Sequence, residues 1–244
     1  MIALARILQE VTQFGGHLSN KIKLTLEIGP KNKMIVAVAP NWPGLARGAK
    51  TEEAAIERLL AYLPRYAPVA KLARMGAAFS SLTGFDVVER YTGPGSTDFW
   101  GISFGFSSID RQVASKDELQ RELTLLRASW TFFDAVRAHV SAEMRKGPRG
   151  GGRDRDRIVR HVVLNEMQWG TGLGLPKPTE EMPPDAMLAA IAAHRDAYCN
   201  GIRAFHAAGK FSGKWPLRYM IRHTAFHTLD HAWEMEDKDL TVTG

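Results

Sequence analysis

Between Ser115 and Val140 the apolar residues Leu119, Leu123, Leu126, Trp130, Phe133, Val136 and Val140 recur at spacings of three and four. A stripe of that period, about six turns long, belongs to an amphipathic helix that must bury one face against other elements. Ser115-Lys116-Asp117-Glu118 ahead of it reads as a capping box, with Ser115 capping the backbone and Glu118 reaching back. The second half of the chain is therefore expected to be helical. A second helix is predicted from about Asp154 to Trp169, and Gly170 to Pro184 forms a long connection. A third begins near Asp185, with Met187, Leu188, Ile191, Tyr198, Ile202 and Phe205 inward. A fourth starts around Trp215-Pro216, where proline suits a first helical turn, and runs to about Asp237. Four helices of these lengths suggest an antiparallel bundle with one long crossover.

The first half has a different rhythm, with short apolar runs broken by Gly, Pro and Ser. Ile22 to Ile28 alternates apolar and polar residues, as a half-buried strand does. Gly29 to Lys33 reads as a turn and Met34 to Ala39 as the second strand of a hairpin. After the turn at Asn41-Trp42-Pro43-Gly44, Thr51 can cap a helix that has Glu52 and Glu53 in its first turn. That helix turns Ala55, Leu59, Leu60 and Leu63 inward and is expected to end before Pro64. Phe85 to Val88 and Phe99 to Phe106 are further candidate strands. The predicted fold class is α+β: an N-terminal α+β module over residues 1–110, then the four-helix bundle over 111–244.

Composition narrows the class. Of 244 residues, 45% are hydrophobic and 24% charged, which excludes a disordered or collagen-like chain. No run of about 18 apolar residues occurs, so no membrane-spanning helix is expected. The start, MIALARILQEV, lacks the basic and apolar regions of a signal peptide. A single cysteine, Cys199, forms no internal disulfide and is expected to be buried in its helix. A cytoplasmic location follows as the default expectation. The net charge of +6 is concentrated in Arg145 to Arg157, RKGPRGGGRDRDR, rather than spread over a face with aromatics between. Nucleic-acid binding is not expected. The loop is either a solvated connection or, through backbone amides and the side chains of Arg149 and Arg153, a clamp for an anionic cofactor. Trp42, Trp130, Trp169, Trp215 and Trp233 are expected in the core or in the wall of a site.

Three of the eight histidines lie in one helix, His223-Thr-Ala-Phe-His227-Thr-Leu-Asp-His231. Residues four apart on a helix stack about 6 Å apart along the axis, so adjacent pairs can aim imidazoles at one point. A metal requires a third donor from elsewhere, and His161 on the second helix supplies one. The stripe Leu217, Met220, Ile221, Thr224 continues through His227 and His231, whereas His223 lies slightly off that line. Each histidine taken alone is equally at home as a hydrogen-bonded core residue. Together they make His161, His227 and His231 the candidate ligands of a divalent transition metal. Imidazoles alone do not choose between Zn, Ni, Fe and Mn.

Two resemblances extend this reading. "WPLRYMIRHTAFHTLDHAWEMED" resembles the last helix of DinB/YfiT-like bundle proteins, whose H-x-x-x-H pair binds a divalent metal. "DRDRIVRHVVLNEMQW" resembles their second helix. The resemblance covers about residues 115 to 238 and implies His161, His227 and His231 as ligands. This chain follows His231 with Ala232-Trp233-Glu234, where many members have Arg-Gly, so no particular substrate carries over. Members with assigned roles include transferases and an isomerase that use low-molecular-weight thiols. "PNWPGLARGAKTEEAAIERL" resembles the strand–turn–helix unit of HicB-like domains, which implies a small α+β module and no defined activity.

The expected function is that of a metal-dependent transferase activating a small thiol for attack on a small-molecule substrate. The alternatives are a hydrolase using metal-bound water, and a non-enzymatic module that binds metal or protein. Asp230 and Glu234 are candidates for orienting a ligand imidazole or accepting a proton, set against their use as a solvated helix face. Glu166 is five residues beyond His161 and points away from it. A homodimer through bundle helices is compatible with this reading, and no feature of the sequence requires it.

Overall fold

The computed structural model describes residues 20–147, 152–178 and 184–241. Arg149 and the MIALARILQEV start lie outside the described residues. The fold is α+β, with a mixed four-stranded sheet in the N-terminal part and a helical C-terminal region. The strands are β1 (Ile22–Ile28), β2 (Ile35–Val38), β3 (Ala46–Ala49) and β4 (Phe85–Thr92), in the order β3-β2-β1-β4. β1 pairs antiparallel with β2 and parallel with β4, with a register shift at Leu24/Thr25. A parallel neighbour needs a crossover. Here it consists of α1 (Glu52–Ala61), α2 (Leu63–Leu72) and α3 (Gly76–Ser80). Thr51 caps α1 as predicted, its hydroxyl accepting from the Ala54 amide.

β1 is buried on both faces, not on one. Ile22, Leu24 and Leu26 enter a core with Leu59 of α1 and with Tyr66 and Val69 of α2. On the other face Thr25 and Glu27 are also buried, because the chain after β4 folds over them. That chain holds α4 (Gly95–Trp100), an irregular stretch, and α5 (Ser108–Arg111). The expected strand at 99–106 is therefore a correction. Thr97 Oγ1, Ser103 Oγ and the Phe104 amide all donate to the Glu27 carboxylate, joined by Tyr91 Oη. Backbone and side chains here serve a buried anion rather than a sheet ladder, and Gly101 turns the chain at φ +65°.

Four long helices follow: α6 (Lys116–His139), α7 (Arg155–Gly170), α8 (Pro184–Ala207) and α9 (Leu217–Lys238). The capping box at Ser115 and Glu118 is present. One apolar cluster joins Phe133 and Val136 of α6, Val162 and Met167 of α7, Ile191 of α8 and Met235 of α9. Another joins Leu123 and Trp130 of α6, Tyr198 and the buried Cys199 of α8, and Met220 of α9. Leu125 and Ala128 of α6 and Leu229 and Trp233 of α9 instead enter the core beneath the sheet. Arg195 of α8 reaches both Glu166 of α7 and Asp134 of α6. No helix among the described residues is long and apolar enough to cross a membrane.

Candidate metal centre

α7 begins where Asp154 accepts a hydrogen bond from the Arg157 amide, and two turns later it presents His161. α9 starts after Pro216 and is buried over most of its length, so its histidines cannot retreat to solvent. His231 is 9% exposed, and His161 and His227 are half-buried. The three rings converge: one nitrogen from each lies within 4.8 Å of the others. His161 Nε2 and His227 Nε2 are 3.1 Å apart, and the His231 ring is edge-on to both neighbours at centroid distances of 4.9 and 4.7 Å. Nitrogens around one ion at about 2.1 Å lie at most about 4.2 Å apart, so small ring rotations bring all three to bonding distance. Among the described residues no fourth His, Cys, Asp or Glu joins this group.

The electrostatics keep two of the rings neutral, those of His161 and His227. Burial pushes the His161 pKa down to about 4, helped by the charges of His231 and Arg153. Burial also pushes His227 well below its ordinary value, with His231, His161, His223 and Arg153 acting the same way. A neutral imidazole has a lone pair to offer, so these rings need lose no proton at neutral pH to bind a cation.

His231 is oriented from behind. Its Nδ1 lies 2.7 Å from Glu234 Oε2, and Lys238 Nζ donates to Glu234 Oε1 at 2.9 Å. Burial alone would raise the Glu234 pKa, but hydrogen bonds from His231 and Lys238 outweigh it and bring it to about 2. An ionised carboxylate only accepts, so Nδ1 carries the hydrogen of this bond and Nε2 is the nitrogen left to face a ligand. The Asn165 amide lies 3.3 Å from His161 Nδ1. Trp169 is edge-on to His227 at 5.0 Å and to His223 at 5.0 Å, as a wall residue.

The other predicted residues fall elsewhere. Asp230 lies on the sheet side of α9, 3.6 Å from Arg47. Glu166 is buried against Arg195, away from the imidazoles as its spacing implies. His223 sits beside the trio rather than within it, stacked on Tyr219 at 5.1 Å. Arg153 is near enough for its charge to act on both His161 and His227. Lys238 and Asn165 escaped notice in the sequence, though each stands four residues from a partner, Glu234 and His161 respectively, on the same helix face.

Comparison with protein-family models, with curated proteins and with solved structures gives no match.

Proposed function

We propose that this chain is a divalent-metal-dependent enzyme of the DinB/YfiT-like type, in which α6 to α9 form the four-helix bundle and His161, His227 and His231 hold the metal. The N-terminal sheet, with its HicB-like strand–turn–helix unit, is in this reading a packing module. The observation that carries the proposal is the convergence of three imidazoles, those of His161 and His227 held neutral by burial, with no fourth donor among the described residues. Structural zinc sites close with four protein ligands, whereas three leave a position for a reactant. Bound there, Zn, Ni, Fe or Mn supplies Lewis acidity that lowers the pKa of a thiol or a water molecule.

The protein's own groups have distinct parts. Glu234 and Lys238 fix the ring of His231, so Glu234 orients a ligand rather than shuttling a proton. Arg153 provides a positive charge beside the imidazoles, suited to the carboxylate of a small thiol cofactor. We favour thiol transfer to a small electrophile on that account, since water needs no anion-binding group.

The test is metal analysis of untagged protein beside the His161→Ala/His227→Ala/His231→Ala variant. About one equivalent of a transition metal is expected in the wild type and none in a folded variant. A wild type that stays empty after incubation with zinc, nickel and iron refutes the reading. For loaded protein, conjugation of monochlorobimane that requires an added small thiol supports transfer. Ester hydrolysis without thiol, and no conjugation, points instead to bound water as the nucleophile.

A further inference from the structure

α4 ends in Phe99 and Trp100, which are 76% and 66% exposed. Two large rings adjacent in sequence thus stand in water, edge-on to each other at 4.7 Å, and the core uses neither. Their neighbour Asp98 fixes where they sit. It accepts hydrogen bonds from the backbone amides of Lys31 at 2.7 Å, Lys33 at 2.8 Å and Met34 at 3.2 Å. Gly29 permits that approach, because a Cβ there would collide with the Asp98 carboxylate. The turn between β1 and β2, with Asn32 at φ +51°, is thereby tied to α4, and its exposed Lys31 and Lys33 share one tip of the molecule with the two rings. β3 pairs with β2 so that Ala49 lies opposite Ile35, and the next residue, exposed Lys50, leaves the sheet at this same end. None of the three lysines makes an ion pair among the described residues, although the Lys33 charge acts on Asp98. Of the carboxylates at this end, Asp98 serves the turn and Glu52 is paired with Arg90, which leaves Glu53 against three lysines.

We propose that this tip is a peripheral membrane-docking site, in which Phe99 and Trp100 enter the interfacial layer of an anionic bilayer while Lys31, Lys33 and Lys50 meet its headgroups. Aromatic rings settle at the boundary between headgroups and acyl chains, and lysines on long stems reach lipid phosphates and carboxylates without a fixed geometry. A protein partner would have to bring a pocket for each protruding ring. Single-stranded nucleic acid stacks successive bases on ring faces, and two rings inclined at 82° to each other offer no common platform. No helix among the described residues is long and apolar enough to cross a membrane, so attachment through this tip is superficial and reversible. The site uses none of the metal-centre residues and stands whether or not the histidine trio is loaded.

The experiment is co-sedimentation of the full chain with vesicles of phosphatidylcholine alone and of phosphatidylcholine with about 30% phosphatidylserine. Phe99→Ala/Trp100→Ala and Lys31→Gln/Lys33→Gln change exposed side chains, so both variants should fold normally, which circular dichroism checks. The wild type is expected to pellet with the phosphatidylserine vesicles and less with the neutral ones. Removing the two rings should weaken that binding at least about tenfold, and removing the two lysine charges about tenfold. Wild type that stays in the supernatant with both vesicles at about 0.1 M salt overturns the proposal. So does pelleting that both double variants leave unchanged, which would assign it to another basic segment such as Arg145 to Arg157. Binding of single-stranded oligothymidylate that needs the two rings, with no binding of vesicles, overturns it as well and reassigns the rings to base stacking.

Discussion

His223 is enclosed by aromatic rings, stacked on Tyr219 and flanked by Trp169, Trp215 and Phe104. Burial, reinforced by the Arg222 charge, pushes its pKa down to about 3. In the unfolded chain the same imidazole takes a proton below about pH 6.5. The folded state therefore binds fewer protons between those values, and stability falls as pH drops from 6.5 toward 3. A fully titrating imidazole of this kind costs about 1.4 kcal/mol for each pH unit in that window. Replacing it with a ring that cannot titrate removes that part of the dependence. Urea denaturation of His223→Phe at pH 7.5 and pH 5 should give a smaller loss than the wild type, by about 2 kcal/mol. An equal loss in both would mean that other groups govern the acid limb.

At the scale of elements, local chemistry was the readable part. Capping by Thr51 and Ser115 depends on residues three positions away, and α6 to α9 carry their period within their own sequences. The histidine trio was legible for the same reason, since His227 and His231 share one helix face and His161 is the histidine of α7. The strand expected at 99–106 failed because Glu27, more than 70 residues earlier, draws the Ser103 hydroxyl and the Phe104 amide to itself. β1 was read as half-buried for the same cause: nothing within it reports that a distant segment covers its second face. The Arg47–Tyr62–Trp233 stack is equally a product of tertiary placement. α7 offers an element-level test, because the side chain of Asp154 satisfies the Arg157 amide at the end that leads to His161. Asp154→Ala should cost about 1 kcal/mol, and Asp154→Ser should restore most of it. Urea midpoints and amide exchange at residues 155–158 measure both; no change in either would mean that this cap is dispensable.

Across the whole molecule, α9 is the shared member. Its Met220 and Met235 face the helices, its Leu229 and Trp233 face the sheet core, and Arg222 binds the connector between them. Arg222 meets Asp110 through two hydrogen bonds, at 2.6 and 2.7 Å, and also donates to Ser103 Oγ and to the Gly105 carbonyl. Ser103 in turn donates to Glu27, so one buried polar chain runs from α9 into β1. Burial would raise the Asp110 pKa, but the Arg222 charge together with the hydrogen bonds from Arg222 and Ser107 outweighs it and holds the carboxyl below its ordinary value. Removing the cation strands that carboxylate in the interior, a change that costs about 3–5 kcal/mol when a buried pair is broken from one side. Arg222→Met should lose stability on that scale, and adding Asp110→Asn should recover part of it because no charge is then left unpaired. Since the two halves share a core through Leu125, Ala128, Leu229 and Trp233, the loss should appear as one earlier transition rather than as release of one half. Far-ultraviolet circular dichroism follows the helices, and tryptophan fluorescence includes Trp42 and Trp233 of the sheet core. Coincident unfolding curves from both probes, in wild type and variant alike, are the expected result. Separated curves would mean that sheet and helices hold their stability independently, and that Arg222 positions α9 without coupling them.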